Sequence, residues 1–184
     1  MGTPTALLPY SIRITTPLGL DLVVTSDNDD IVASTFAKPN PTRRAVPHPL
    51  LAEARRQVKA YFARRLLSFD LPLRFEGTPL QVEIWRFVSR LSFAEVISYG
   101  DVGHALGHPN IHRAVAAAMG CAPFDLFVPA HRVIGADGRI KGAGAGSLRR
   151  RLLIYEGRLT TSGGDAIRAL GQSRHCDPPP LSSR

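Results

Sequence analysis

Apolar and polar residues alternate along Ser11-Ile12-Arg13-Ile14-Thr15, which predicts a strand with Ile12 and Ile14 on one face. Pro17-Leu18-Gly19 predicts a turn and Leu20 to Ser26 a second strand. Beyond the turn cluster Asp27-Asn28-Asp29-Asp30, Ile31 to Ala37 resumes as a third. Together these read as a small antiparallel meander. Lys38 to Pro49 carries four prolines and reads as a loop. The spacing then becomes helical from Leu50 to Leu67. Leu50, Leu51, Ala54, Val58, Tyr61, Phe62 and Leu66 form an apolar stripe, and Arg55, Arg56, Lys59, Arg64 and Arg65 lie largely off it as a solvated face. Phe69 to Glu76 reads as an extended link between domains.

Gly77 opens a second pattern. Thr78 is placed to cap a helix from Pro79 to Leu91, with proline in its first turn and Val82, Trp85, Phe87 and Val88 among its apolar residues. Ser98 caps a short helix over Tyr99 to Leu106, Gly107-His108-Pro109-Asn110 breaks it, and Ile111 to Met119 forms a third, alanine-rich helix. Short helix, tight turn and small-residue helix is a helix-turn-helix pattern. Phe127-Val128-Pro129 is extended, Ala136-Asp137-Gly138 is a hairpin-type turn, and Gly142 to Gly146 is a flexible wing. A last helix spans Ser147 to Glu156. The expected organisation is an α/β N-terminal domain over 1–76, a small antiparallel sheet plus helix. A mainly α, winged-helix domain follows over 77–157, and then a disordered, Ser/Gly/Pro-rich tail over 158–184.

Composition changes this picture little. The 184 residues are 44% hydrophobic and 21% charged, as in a folded globular chain, with no run long enough to span a bilayer. Met1 to Pro9 has neither a basic segment nor a long apolar core, so no signal peptide is expected. Two cysteines, Cys121 and Cys176, are too few for a disulfide framework. A cytoplasmic protein, nucleoid-associated in a bacterium, is the simple expectation. The net charge of +8 favours an anionic partner, but it is spread along the whole chain and is a weak pointer.

Candidate chemistry is sparse on the residues alone. His104, His108 and His112 would line up on one helix, but Pro109 interrupts it and no cysteine or carboxylate completes a ligand set, so no metal is expected. Arg113 reads as a phosphate contact or a surface cation. Tyr99, at a helix start, reads as an outward hydroxyl or as a core tyrosine with a satisfied one. Arg149-Arg150-Arg151 reads equally as phosphate contacts or a solvated face. Cys121 reads as a small, inert cysteine.

Five segments carry a more specific signal. Gly77-Thr78-Pro79-Leu80-Gln81, Ile97-Ser98-Tyr99-Gly100, Arg113-Ala114-Val115, Val128-Pro129-Ala130-His131-Arg132-Val133-Ile134-Gly135 and Tyr155-Glu156-Gly157 resemble, in order and spacing, the O6-alkylguanine-DNA alkyltransferases (methylated-DNA–protein-cysteine methyltransferases). The resemblance is strong over 77–157 and weaker over 10–76, where it implies a ribonuclease-H-like fold. It implies a helix-turn-helix in the minor groove, with Ala114, Ala117 and Ala118 allowing close approach. Arg113 would fill the gap left by an extruded nucleotide. Tyr99 would rotate the target phosphate and lie beside the flipped base. The lesion pocket would comprise Tyr99, Pro129, Ala130, Val133 and Ala143, with the backbone carbonyls of Ala130 and Val133 accepting from guanine. His131 would be the general base and Glu156 the carboxylate orienting it. Some members carry a structural zinc in the N-terminal domain, but this chain has no Cys/His cluster for one.

The chain departs from the family where the chemistry is done. Ala130 stands in place of the acceptor cysteine of Pro-Cys-His-Arg, and a methyl group has no lone pair with which to attack an alkyl carbon. Ala122 replaces the hinge asparagine and Ala143 a pocket tyrosine. The resemblance therefore implies the cysteine-less, alkyltransferase-like variant. Such a protein would be a monomeric, cofactor-free sensor of alkylated guanine in double-stranded DNA that hands lesions to nucleotide excision repair proteins. One departure from that variant is the apparent N-terminal domain, which many of its members lack. Two alternatives stand beside it: a methyltransferase with an unusual acceptor, and a DNA-binding regulator indifferent to lesions.

Overall fold

The structure is a computed structural model and describes residues 10–40, 48–140 and 147–158. The expectations for Gly142–Gly146, for Ala143 and for the tail beyond Arg158 lie outside the described residues. Strands β1 (Tyr10–Thr15), β2 (Asp21–Ser26) and β3 (Ile31–Ala37) form the antiparallel meander in the order β1-β2-β3. Ile12 opposes Val24 and Ile14 opposes Leu22. The two-residue period thus puts Ile12, Ile14, Leu22 and Val24 on one buried face. The β2–β3 turn is closed by Asp27, whose Oδ1 accepts from the amides of Asp29 and Asp30 at 3.1 and 2.9 Å.

Helix α1 (Pro49–Phe62) covers that face with Leu51, Ala54, Val58 and Tyr61. It ends five residues before the predicted Leu67. Arg64 takes a left-handed φ of 56°, and the Arg65 amide reaches back to the Ala60 carbonyl at 2.9 Å. That closure usually announces itself with glycine, and here no glycine marks it. Arg64 is also not simply solvated. Its guanidinium donates to the Tyr155 carbonyl at 3.0 Å and lies over the Tyr155 ring.

The predicted link is more than a link. Ile31 donates to Pro72 at 2.7 Å and accepts from Arg74 at 3.0 Å, so residues 72–74 pair beside β3. Further along the same strand Ser34 donates to Pro123 and accepts from Asp125, and its hydroxyl donates to the Asp125 carbonyl at 2.6 Å. Two distant segments thereby cover backbone groups of an edge strand that would otherwise be open to unwanted pairing.

Helix α2 (Pro79–Ser89) begins at the predicted cap, a capping box in which Thr78 and Gln81 each satisfy the other's backbone amide. Trp85 donates from its indole to the Ala118 carbonyl at 2.8 Å, tying α2 to α4 (His112–Gly120). Ser98 caps α3 (Tyr99–Ala105), accepting from the Asp101 amide at 3.0 Å. A Cβ on Gly103 would lie 2.9 Å from the His108 carbonyl and 3.0 Å from Ile111, so glycine permits the close approach of α3 to the start of α4. Strand β4 (Ile97–Ser98) pairs in parallel with β5 (Val133–Ile134). Helix α5 (Leu148–Tyr155) is capped by Ser147 and closed at Gly157, φ 76°. Among the described residues a main core joins the sheet, α1, α2, α4 and α5, and a smaller cluster gathers Ile134, Ile140 and Leu153.

Candidate functional site

The Pro129-Ala130-His131-Arg132 segment is held from three sides. Ala130–Arg132 form a single 3-10 turn, with the Arg132 amide on the Pro129 carbonyl at 2.8 Å. β5 follows at once, and its pairing with β4 brings the Ser98-Tyr99 corner alongside. Glu156, at the C-terminal cap of α5, lies beneath.

Glu156 is the hub. Its Oε1 lies 3.0 Å from His131 Nε2, 2.7 Å from Arg132 Nη2 and 2.6 Å from the Tyr61 hydroxyl. Its Oε2 accepts from Arg132 Nε and the Ala94 amide, both at 3.2 Å. Arg132 spends its remaining reach on the Leu91 carbonyl at 2.6 Å. All four side chains are buried. Burial alone would raise the Glu156 pKa, but His131 and Arg132 outweigh it and hold the carboxyl at about 2. An ionised carboxylate only accepts, so His131 donates from Nε2 and its other ring nitrogen carries the lone pair. Burial pushes the His131 pKa down, Arg132 and Arg149 push the same way, and Glu156 opposes them. Burial and the Glu156 charge raise the Tyr61 hydroxyl, which stays a donor.

A cleft of about 160 Å³ opens beside this hub, with Ala130 and His131 in its wall. Met119, Ala122, Asp125 and Arg149 also line it. Arg149 donates to the Met119 carbonyl at 2.9 Å and to the Tyr99 hydroxyl at 3.5 Å. The arginine run is not a solvated face: Arg149 and Arg151 are half-buried and Arg150 is buried, with Arg149 in the cleft wall.

The predicted site residues divide accordingly. Ala130, His131 and Glu156 come together as expected. Tyr99 is 5% exposed with its hydroxyl on Arg149, so it is the core tyrosine of the two readings and not the outward one. Pro129 and Val133 are buried around the turn rather than in the cleft wall. On α4, Arg113 and Ala117 are exposed and Ala114 is half-buried. Ala118 is 1% exposed and accepts from Trp85, which corrects its placement on a DNA-facing surface. Ala118 faces inward because α4 packs on α2 there, next to Trp85. Cys121 does not line the cleft: its sulfur accepts from Gln81 at 3.4 Å and lies 3.7 Å from the Ala118 carbonyl. His108 lies 3.7 Å from Glu83, and among the described residues no three His, Cys, Asp or Glu side chains gather as metal ligands. Sequence reasoning gave no role in the site to Tyr61 or Arg132. For Tyr61 no signal existed, since it reads as one more apolar stripe position.

The family model described as "6-O-methylguanine DNA methyltransferase, DNA binding domain" matches residues 79–158. A methylated-DNA–protein-cysteine methyltransferase of Methanosarcina acetivorans is 41% identical over 106 residues, covering 57% of this chain and 68% of the relative. The namesake protein of Mycolicibacterium paratuberculosis is 36% identical over 143 residues, covering 78% and 85%. Among solved structures, Mycobacterium tuberculosis OGT in complex with DNA superposes with a TM-score of 0.67 at 32% identity, over 78% of this chain and 90% of that one. These relatives agree with the ordered motifs, and the chain belongs to the O6-methylguanine DNA methyltransferase family.

Proposed function

We propose that the chain is a DNA-damage sensor of the cysteine-less, alkyltransferase-like kind, which binds alkylated guanine and retains it without taking the alkyl group. The observation that carries this reading is the cleft. Ala130 occupies its wall beside an intact His131–Glu156–Arg132 hub, and Cys121 lies outside it. The histidine and its carboxylate are kept and the nucleophile is not. The solved relative in complex with DNA supports a DNA partner.

On this reading α3 and α4 act as the helix-turn-helix of a winged-helix domain, entering the minor groove with Ala114 and Ala117 on the approaching side. Arg113 replaces the extruded nucleotide, and extrusion costs least for a damaged pair. Residues 10–76 form the ribonuclease-H-like unit that precedes it. Nucleotide excision repair proteins are the expected recipients of the marked lesion.

The test incubates the protein with duplex DNA carrying O6-methylguanine labelled in the methyl group, beside a binding titration. Label stays on DNA, and the alkylated duplex binds tighter than its unmodified twin. Arg113→Ala weakens lesion binding more than nonspecific binding. Label on the protein that Cys121→Ser abolishes would instead establish an enzyme with an unusual acceptor. Equal affinity for both duplexes, falling steeply with salt, would establish a lesion-indifferent binder.

A further inference from the structure

The carboxylate that orients His131 is gripped from both halves of the chain. A carboxylate offers about four lone-pair directions. Those of Glu156 are filled by Tyr61 from α1, His131 and Arg132 from the 3-10 turn, and the Ala94 amide from the α2–β4 connection. Tyr61 makes the shortest of these contacts, 2.6 Å, across 95 residues of sequence. It shares Oε1 with His131.

We propose that Tyr61 is a positioning residue for His131: its hydroxyl pins the Glu156 carboxylate in the arrangement that orients the imidazole, and so ties helix α1 to the site. With Oε1 held between the Tyr61 hydroxyl and the Arg132 guanidinium, the position facing Nε2 is fixed, and His131 keeps its proton there. Without the hydroxyl, Oε1 keeps only His131 and Arg132 as donors, nothing holds the carboxylate from the α1 side, and it turns about its side chain and carries the imidazole with it. The other charged groups near the ring are Arg149 from α5 and Asp125 in the cleft wall, and neither touches Glu156. This gives the N-terminal segment a task in the site, not only in the core. The effect on the imidazole stands on geometry alone, and its consequence for lesions rests on the function proposed above.

A paired control is built into the same helix contact. Tyr155 donates its hydroxyl to the Phe62 carbonyl at 2.5 Å, joining α5 to α1 without touching Glu156. The experiment compares Tyr61→Phe and Tyr155→Phe in the full chain by the ¹⁵N spectrum of the His131 ring at pH 7. All three keep the proton on Nε2; wild type and Tyr155→Phe share one pair of ring ¹⁵N shifts, whereas Tyr61→Phe moves the Nε2 resonance away from it. The preference for alkylated over unmodified duplex falls in Tyr61→Phe and is kept in Tyr155→Phe. A His131 spectrum of Tyr61→Phe that superimposes on wild type overturns the proposal. Should Tyr61→Phe fail to fold, wild type decides alone: a nuclear Overhauser contact between the Tyr61 hydroxyl proton and the His131 Nε2 proton is expected, and its absence overturns the proposal. A wild-type chain that shows the contact but binds both duplexes equally would sink the proposed function and leave the positioning role standing.

Discussion

Replacing Glu156 with glutamine changes one oxygen for an amide nitrogen and removes the charge at the centre of the hub. Arg132, 3% exposed, then keeps a positive charge with no counterion, and one of its donors meets another donor. Breaking a buried pair in this way costs about 3–5 kcal/mol. A second route gives a similar figure. The carboxyl is held at about 2 against an ordinary 4.5, and about 1.4 kcal/mol per unit makes roughly 3 kcal/mol. The sign follows from linkage: a depressed carboxyl pKa contributes stability that is fully present above the unfolded value and is lost as pH falls through the folded one. Urea unfolding of wild type and Glu156→Gln should therefore differ by about 3 kcal/mol at pH 7, or on the order of 10 °C in Tm. The gap should close between about pH 5 and pH 2 as wild type protonates. A gap under about 1 kcal/mol at pH 7, or one that persists undiminished at pH 2, would show that the hub does not carry the charge network described.

Three further outcomes follow from the same geometry. Ala118→Leu overpacks the α2–α4 contact and destabilises by about 1–3 kcal/mol, while Ala117→Leu, on the exposed side, leaves the unfolding midpoint unchanged and lowers affinity for DNA. Comparing denaturation and duplex binding for both variants checks this; equal stability losses would refute the placement of α4. Trp85→Phe strands the Ala118 carbonyl and costs about 1–3 kcal/mol in urea unfolding; a loss no larger than that of an exposed substitution would count against the indole hydrogen bond. Because burial depresses the His131 pKa, the neutral ring contributes stability above its unfolded pKa that is lost as pH falls below it. His131→Gln should flatten that part of the stability profile, and an unchanged profile would mean the ring is not held neutral.

Much of the local structure was legible in the chain. Alternation of Ile12 and Ile14, the capping box at Thr78, the Ser98 cap and the turn at Asp27 to Asp30 each announce an element through chemistry within four or five residues. The end of α1 was not legible, because Arg64 adopts a left-handed conformation with no glycine to signal it. Nor was the second role of residues 69–76, since pairing with Ile31 depends on a strand some forty positions away.

The candidate site divides in the same way. Sequence alone determined that Pro129-Ala130-His131-Arg132 lacks an acceptor, that His131 and Glu156 persist, and which family the ordered motifs resemble, because these are matters of residue identity and order. Tertiary structure decided that Glu156 is shared by Tyr61, His131 and Arg132, that Ala118 faces Trp85 instead of solvent, and that Tyr99 and Arg149 close on each other beside the cleft. Those outcomes turn on which buried donors find which acceptors across 24 to 95 residues of chain. A buried polar group must be paired somewhere, but the pattern of hydrophobic and polar positions says only that it is buried, and packing alone selects its partner.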